Sequence, residues 1–266
     1  MAPNLLRTSS SLYMAQASSG EPVQIVSTKE DIQTSYQPYQ KAAKRPVKRK
    51  GRTYEWEIVW RNVLIFLLLH SIFLYASYLL ITGKVMLKTL LFNVLFASFC
   101  AFGVTAGAHR LWAHRTYKAK LPFRIVLMIW HTAALQNDIH EWCRDHRVHH
   151  KFTDTDADPH NASRGFFFSH IGWLMLKKHK DVIAKGKTID MSDLEADPVV
   201  MWQKKYYVGL VTVLTFLLPA HVPWYFWGEN YLIAWYATIF RYTLSLNFTW
   251  LVNSAAHIWG TKPYDA

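Results

Sequence analysis

The sequence predicts an all-α integral membrane protein: four transmembrane helices in two hairpins, under a cytosolic helical cap that carries a histidine metal site. Three observations predict it. Four long apolar segments interrupt a basic chain of formal charge +12, in which 51% of residues are hydrophobic. Twelve tryptophans and fourteen tyrosines suit the aromatic belts of a membrane protein. Six histidines fall in three short strings beside those segments, His109-Arg-Leu-Trp-Ala-His114, His146-Arg-Val-His149-His150 and Asn253-Ser-Ala-Ala-His257, in a chain with two cysteines.

Residues 1–55 are rich in Ser, Thr, Gln and Pro and lack an apolar signal core, which predicts disorder and no cleaved secretory peptide. Arg7 is the sole arginine before Glu21, so a transit peptide is disfavoured as well. Lys41, Lys44, Arg45, Lys48, Arg49, Lys50 and Arg52 stand next to the first apolar segment. There they read as a topology signal with affinity for anionic lipid rather than as a nucleic-acid site.

Segments 62–82 and 87–108 are each long enough to cross a hydrocarbon core of about 30 Å. With the short link at Gly83 and Lys84 they form a first hairpin, 56–108, and the basic residues ahead of it hold the N-terminus in the cytosol. Residues 109–205, polar and histidine-rich, return to the cytosolic side as the cap. Segments 206–227 and 231–254 form the second hairpin, 206–254, and residues 255–266 begin a further stretch of cap. Pro219 and Pro223 predict a kink or early exit in the third segment. Arg241, costly in lipid, should face protein or a polar cavity. This topology brings all six histidines to one face of the membrane.

On an α-helix, residues i, i+3 and i+4 share a face, so His146, His149 and His150 can serve one ion or straddle two. His109 and His114 lie roughly 140° apart on an ideal helix and cannot aim at one ion unless the helix ends or bends. Two neighbouring ions explain that spacing more easily than one. Imidazole suits Zn, Cu, Fe or Ni; without a Cys-x-x-Cys pair a structural zinc knuckle is disfavoured, and iron performing oxygen chemistry is the preferred reading. Asp154, Asp156 and Asp158 resemble a calcium loop, but Pro159 and Gly165 occupy the positions that need glycine and glutamate. Helix capping, or hydrogen bonds to the far side of a ligating histidine, suit them better. His70, His131, His170, His179 and His221 read as ordinary core or surface residues, and Cys100 and Cys143 as unpaired thiols.

The strings Gly-Ala-His109-Arg-Leu-Trp-Ala-His-Arg-Thr-Tyr-Lys, Asp145-His-Arg-Val-His-His-Lys and Asn253-Ser-Ala-Ala-His-Ile-Trp-Gly-Thr-Lys-Pro-Tyr-Asp closely resemble the animal acyl-CoA desaturases, the stearoyl-CoA desaturase family. The resemblance covers nearly everything after residue 55. It implies a multi-pass endoplasmic-reticulum enzyme with four spanning helices and a di-iron histidine site in the cap. Such enzymes use O2, and electrons passed from a reductase through cytochrome b5, to place a cis double bond in a saturated fatty acyl-CoA. The default is the ninth carbon of palmitoyl or stearoyl chains.

The resemblance implies iron-ligand roles for His109, His114, His146, His149, His150 and His257, with Asn253 acting through water, and no catalytic group separate from these. It gives Gln136, Trp142 and Thr249 the bend of an acyl tunnel. Arg61, Asn62, Asn137, Arg144, Asp145, Lys177 and Lys178 match positions around the CoA head. Helix geometry adds a candidate tunnel end, since steps of four back from His109 reach Thr105, Ala101 and Ala97.

The family carries a further His-x-x-His-His box beyond the position of His257, and this sequence ends at Ala266 before it. Without those ligands the irons would be under-coordinated, so a catalytically inactive desaturase-like membrane protein is one alternative. A related membrane di-iron fatty-acid hydroxylase is another, against which the Asn-Ser-Ala-Ala-His-x-x-Gly string argues.

Overall fold

The structure, a computed structural model, describes residues 56–259. The expected disordered segment, its basic run and the final residues of the third string lie outside that range. Among the described residues the architecture is helical: α1 Trp60–Ile81, α2 Leu87–Phe102 running on as a π-helix over Gly103–Ala113, α3 Leu121–Ala134 and α4 Ile139–Phe152. Short helices α5 Phe166–His170, α6 Lys180–Gly186 and α7 Ser192–Glu195 follow. Then come α8 Pro198–Val211, a π-helical stretch Thr212–Leu217, α9 Leu218–Trp227, α10 Tyr231–Asn253 and α11 Ala255–Ile258.

Three of these helical runs, Trp60–Ile81, Leu87–Ala113 and Pro198–Trp227, are long and apolar enough to cross a membrane. The fourth expected span is the 23-residue helix α10, long enough but diluted by Arg241, Ser245 and Asn247. Arg241 is 3% exposed, turned inward as a charge in lipid requires. Its Nη2 donates at 3.1 Å to the carbonyl of Thr215, the group to which Pro219, lacking an N–H, cannot donate as the helical i−4 partner. The prolines therefore neither end the third segment nor expel it early; the helix continues to Trp227, with a π-helical stretch just ahead of Pro219. It also begins at Pro198, before the apolar run, because Asp197 caps it by accepting from Val199 N–H at 2.9 Å.

α1 packs along α10 through aromatic pairs, Phe73 on Phe240 at 4.9 Å and Phe66 against Trp250 at 5.6 Å. At its end Gly83, φ 68°, makes the left-handed turn, and Lys84 N–H donates to the Leu79 carbonyl at 2.9 Å. At this same end Glu229, 3% exposed, accepts from Met86 N–H at 2.9 Å and Thr89 Oγ1 at 2.7 Å, tying the α1–α2 and α9–α10 loops together. At the other end a hydrophobic core forms from Leu111, Trp112, Leu127, Ile139, Cys143, Leu194 and Val200. Gln203 satisfies buried polar groups inside it, accepting from Ile139 N–H at 3.0 Å and donating to Thr132 Oγ1 at 3.0 Å.

Candidate metal centre

The π-helical stretch decides how the first histidine string is presented. Its wider turn hydrogen-bonds i to i+5, and His114 N–H donates to the His109 carbonyl at 2.9 Å. Residues five apart then share a face, and the His109 and His114 rings lie 4.5 Å apart. The separation of roughly 140° expected for an α-helical turn therefore does not apply here. Arg147 holds the end of the stretch by donating to the carbonyls of Trp112 at 2.7 Å and Ala113 at 3.3 Å while pairing with Asp193 at 2.8 Å.

α4 supplies the second string. Asp138 caps it by accepting from Glu141 N–H at 2.9 Å, and its i, i+4 pair His146 and His150 meets the first string. Nε2 of His146 lies 3.0 Å from Nε2 of both His114 and His150, and one nitrogen from each of His109, His114, His146 and His150 falls within 4.8 Å of the others. Trp142 stacks on the His146 ring at 4.8 Å. Burial, and then the neighbouring His150, His109 and His114, push His146 down to about 2. Burial and then His114 bring His150 to about 4, and burial also lowers His114. Neutral imidazoles bring their ring nitrogens together here.

His149 is turned away from that group. Its Nδ1 faces Asp158 Oδ1 at 2.9 Å, its ring lies 5.0 Å from His257, and His160 approaches it at 4.3 Å. The second string thus divides between two neighbouring places. Burial alone would raise Asp158, but the hydrogen bond and charge of His149 bring it below its usual value. The acidic run contributes the hydrogen bond behind a histidine that its sequence suggested, through Asp158. His160, buried and held to about 3 first by burial and then by His149, was not singled out by sequence reasoning. Its signal was its place two residues after Asp158.

Of the head-group candidates, Arg144, Asp145 and Lys178 converge with Glu141. Lys178 Nζ donates to Asp145 at 2.6 Å and Glu141 at 3.1 Å, and Arg144 Nη2 donates to Glu141 at 3.1 Å and Asp145 at 3.2 Å. Asn62 donates to the Leu174 carbonyl at 2.8 Å, beside the exposed Arg61, and Lys177 pairs with Glu57. Asn137, φ 70°, lies in the turn between α3 and α4. Gln136 donates to Thr249 Oγ1 at 2.9 Å, joining two of the three tunnel-bend candidates. Ala97 is half-buried and Ala101 and Thr105 are exposed. Their alignment with His109 no longer follows from steps of four, since the chain winds as a π-helix from Gly103 onward.

His131, read from sequence as an ordinary residue, is fully buried with neither ring nitrogen partnered, 6.3 Å from Trp142. Burial drives it from 6.5 down to about 3. Below pH 6.5 the unfolded chain then takes a proton that the native state refuses, so acidification destabilises the fold progressively toward about 3. We expect stability to fall by up to about 1.4 kcal/mol per pH unit from this residue. Unfolding of wild type and His131→Leu in detergent between pH 7 and 5 checks it; equal slopes would refute the assignment.

Apolar helices of spanning length, with four neutral imidazoles gathered where two helical elements meet, define a class: a helical protein with the makings of a membrane-associated metal cage. The family model for fatty acid desaturase matches residues 85–266, and the chain belongs to that family. It is similar to an acyl-CoA Delta-9 desaturase of Acheta domesticus, 57% identical over 219 residues, covering 82% of this chain and 61% of that protein. An acyl-CoA Delta12-desaturase of the same organism matches with the same identity and coverage. Stearoyl-CoA desaturase 5 of Homo sapiens is 54% identical over 225 residues, 83% of this chain and 66% of that protein. The chain spans roughly three-fifths of the length of the first of these relatives (61%).

Proposed function

We propose that the chain carries out, or forms most of, an acyl-CoA desaturase that places a cis double bond in a saturated fatty acyl-CoA. The observation that carries this reading is the group of His109, His114, His146 and His150. Nitrogens 3.0 Å apart are spaced as neighbouring ligands about 2.1 Å from one metal would be, and neutral imidazole is the form that ligates. His149 and His257, with Asn253 through water, are the residues proposed for a second ion. Two irons held there supply the oxidising power, drawn from O2, that removes hydrogen from an unactivated methylene.

The residues around them orient the substrate. Arg144 and Lys178, balanced by Glu141 and Asp145, exchange those carboxylates for the phosphates of the CoA head, with Arg61, Asn62, Asn137 and Lys177 beside them. The Gln136–Thr249 hydrogen bond and Trp142 hold the acyl chain bent next to His146, so that one methylene is presented. Lys118, Lys120, Lys204 and Lys205 lie at the histidine end of the spanning helices, whereas Lys84 and Lys88 lie at the other. That asymmetry supports four spans with the N-terminus and the histidines in the cytosol, in the endoplasmic-reticulum membrane, accessible to cytochrome b5 and its reductase. Relatives named for Delta-9 and Delta12 activity are equally similar, so identity does not choose the bond; the ninth carbon is the default.

The test is expression in yeast lacking its own desaturase, with double bonds located by mass spectrometry. Monounsaturated product supports the reading, hydroxylated product means a hydroxylase, and neither, from inserted and metal-loaded protein, overturns catalysis. Where product forms, Ala97→Trp or Ala101→Trp should shift it toward shorter chains; an unchanged length profile excludes that stripe as the tunnel end.

A further inference from the structure

Two histidines that the sequence marks as ordinary, His70 in α1 and His170 in α5, are joined through Asn247 of α10. His70 Nδ1 lies 2.8 Å from the Phe66 carbonyl and its Nε2 3.5 Å from Asn247 Nδ2. Asn247 Oδ1 lies 3.2 Å from His170 Nε2, and His170 Nδ1 lies 3.0 Å from Ser254 Oγ. Ser254 is fully buried and is the junction, φ −106° and ψ −76°, at which α10 stops and α11 starts. It immediately follows Asn253, and its carbonyl accepts from the N–H of His257 at 3.2 Å and of Ile258 at 3.0 Å.

The Phe66 carbonyl, which only accepts, fixes the protons from His70 as far as His170. For neutral rings, His70 must donate from Nδ1, which leaves Nε2 bare and requires an N–H from Asn247. The second Asn247 N–H goes to the Thr243 carbonyl at 2.9 Å, so Oδ1 faces His170 and takes the proton of Nε2. Nδ1 of His170 is then bare and shares the Ser254 hydroxyl proton with the Trp250 carbonyl, which lies 2.9 Å from the same oxygen. The contacts run unbroken from Ser254 to the first span, with the Ser254 hydroxyl bifurcated between His170 Nδ1 and the Trp250 carbonyl. The Trp250 ring packs against both histidines, at 6.3 Å from His70 and 5.7 Å from His170, filling the space beside the chain. Since the chain terminates on a backbone carbonyl, which has no proton to pass on, it conducts nothing; it holds.

We infer that His170 and Asn247 are positioning residues: anchored on the first span, they hold Ser254 and thereby fix the angle at which Asn253 and His257 are presented beside His149. The inference rests on the proposed reading of Asn253 and His257 as ligands only for its consequence on metal; the positioning itself does not depend on the reaction.

The test uses the full chain in detergent, as wild type, His170→Phe and His170→Asn. Phenylalanine keeps the ring packing and removes both nitrogens, whereas the asparagine carboxamide oxygen can still accept from Ser254. Backbone hydrogen exchange should quicken about tenfold or more at Ala255–Ile258 in His170→Phe, with α3 and α4 unchanged, and return toward wild type in His170→Asn. Cobalt(II) binding, followed by its visible absorption, should weaken in His170→Phe by about 10–100-fold, the range for losing a partner behind a ligand. Unchanged exchange at Ala255–Ile258, equal quickening throughout the cap, or no rescue by asparagine would each overturn the inference. Altered exchange with cobalt affinity unchanged from wild type would uphold the positioning and remove Asn253 and His257 from the ligand set.

Discussion

His146→Ala should abolish cobalt(II) or iron(II) binding by the four-imidazole group and, with it, product formation. The other three members do not make up the loss, because His146 is the common neighbour: its Nε2 is 3.0 Å from both His114 and His150, and its ring is the one on which Trp142 stacks. Removing a ligand should exceed the roughly 10–100-fold loss that follows removal of a residue behind one. Stability should move the other way. In the metal-free protein the one Nε2 of His146 can make only one full hydrogen bond to its two neighbours at 3.0 Å, so the alanine variant should unfold no earlier than wild type and about 1 kcal/mol later, the scale of relieving one unsatisfied buried group. Metal titration with thermal unfolding checks both halves. His221→Gln, altering a ring that faces the Leu217 carbonyl in the first turn of α9, serves as the control and should change neither. Wild-type affinity in His146→Ala would sink the four-histidine cage.

Gly103→Ala should be the most damaging single methyl at any of the described glycines. A Cβ there would lie 2.2 Å from the backbone nitrogen of His131 and 2.4 Å from the Trp130 carbonyl carbon. Neither is a side-chain tip that can swing aside; α3 itself would have to retreat. The cost should reach about 3 kcal/mol, the upper end for overpacking. Gly103 also opens the π-helical stretch, so the shift would propagate to His109 and His114 and weaken metal binding as well. Gly209 offers the contrast, with nothing within 4 Å of its added Cβ. Alanine there should stabilise by about 0.5–1 kcal/mol through helix propensity alone. Unfolding midpoints of the two variants against wild type test the pair; similar effects at both sites would mean that the α2–α3 crossing is looser than its geometry indicates.

Much of this molecule was legible before its geometry. Apolar runs located α1, α2 and the membrane part of α8–α9, and the cost of a charge in lipid turned Arg241 inward. The i, i+4 spacing placed His146 with His150, and the failed calcium loop left Asp158 available to support His149. What escaped notice shares one cause: it lies in hydrogen-bond register rather than side-chain type. Nothing in the composition of Gly103–Ala113 announces i to i+5 bonding, yet that register brings His109 to His114. The start of α8 was misplaced because apolar patterning marks exposure to lipid, while Asp197 and Pro198 set where the helix begins. His70 and His170 looked ordinary because their common partner, Asn247, is distant from both in the chain.

The meeting of Arg241 with the Thr215 carbonyl has a consequence for how such a chain sits in a bilayer. Pro219 strips one helix of a hydrogen bond, and Arg241 brings the next a charge that needs a buried partner. Side by side, each supplies what the other lacks. On the proposed four-span topology the pair, and not the single helix, is then the unit that a bilayer accommodates.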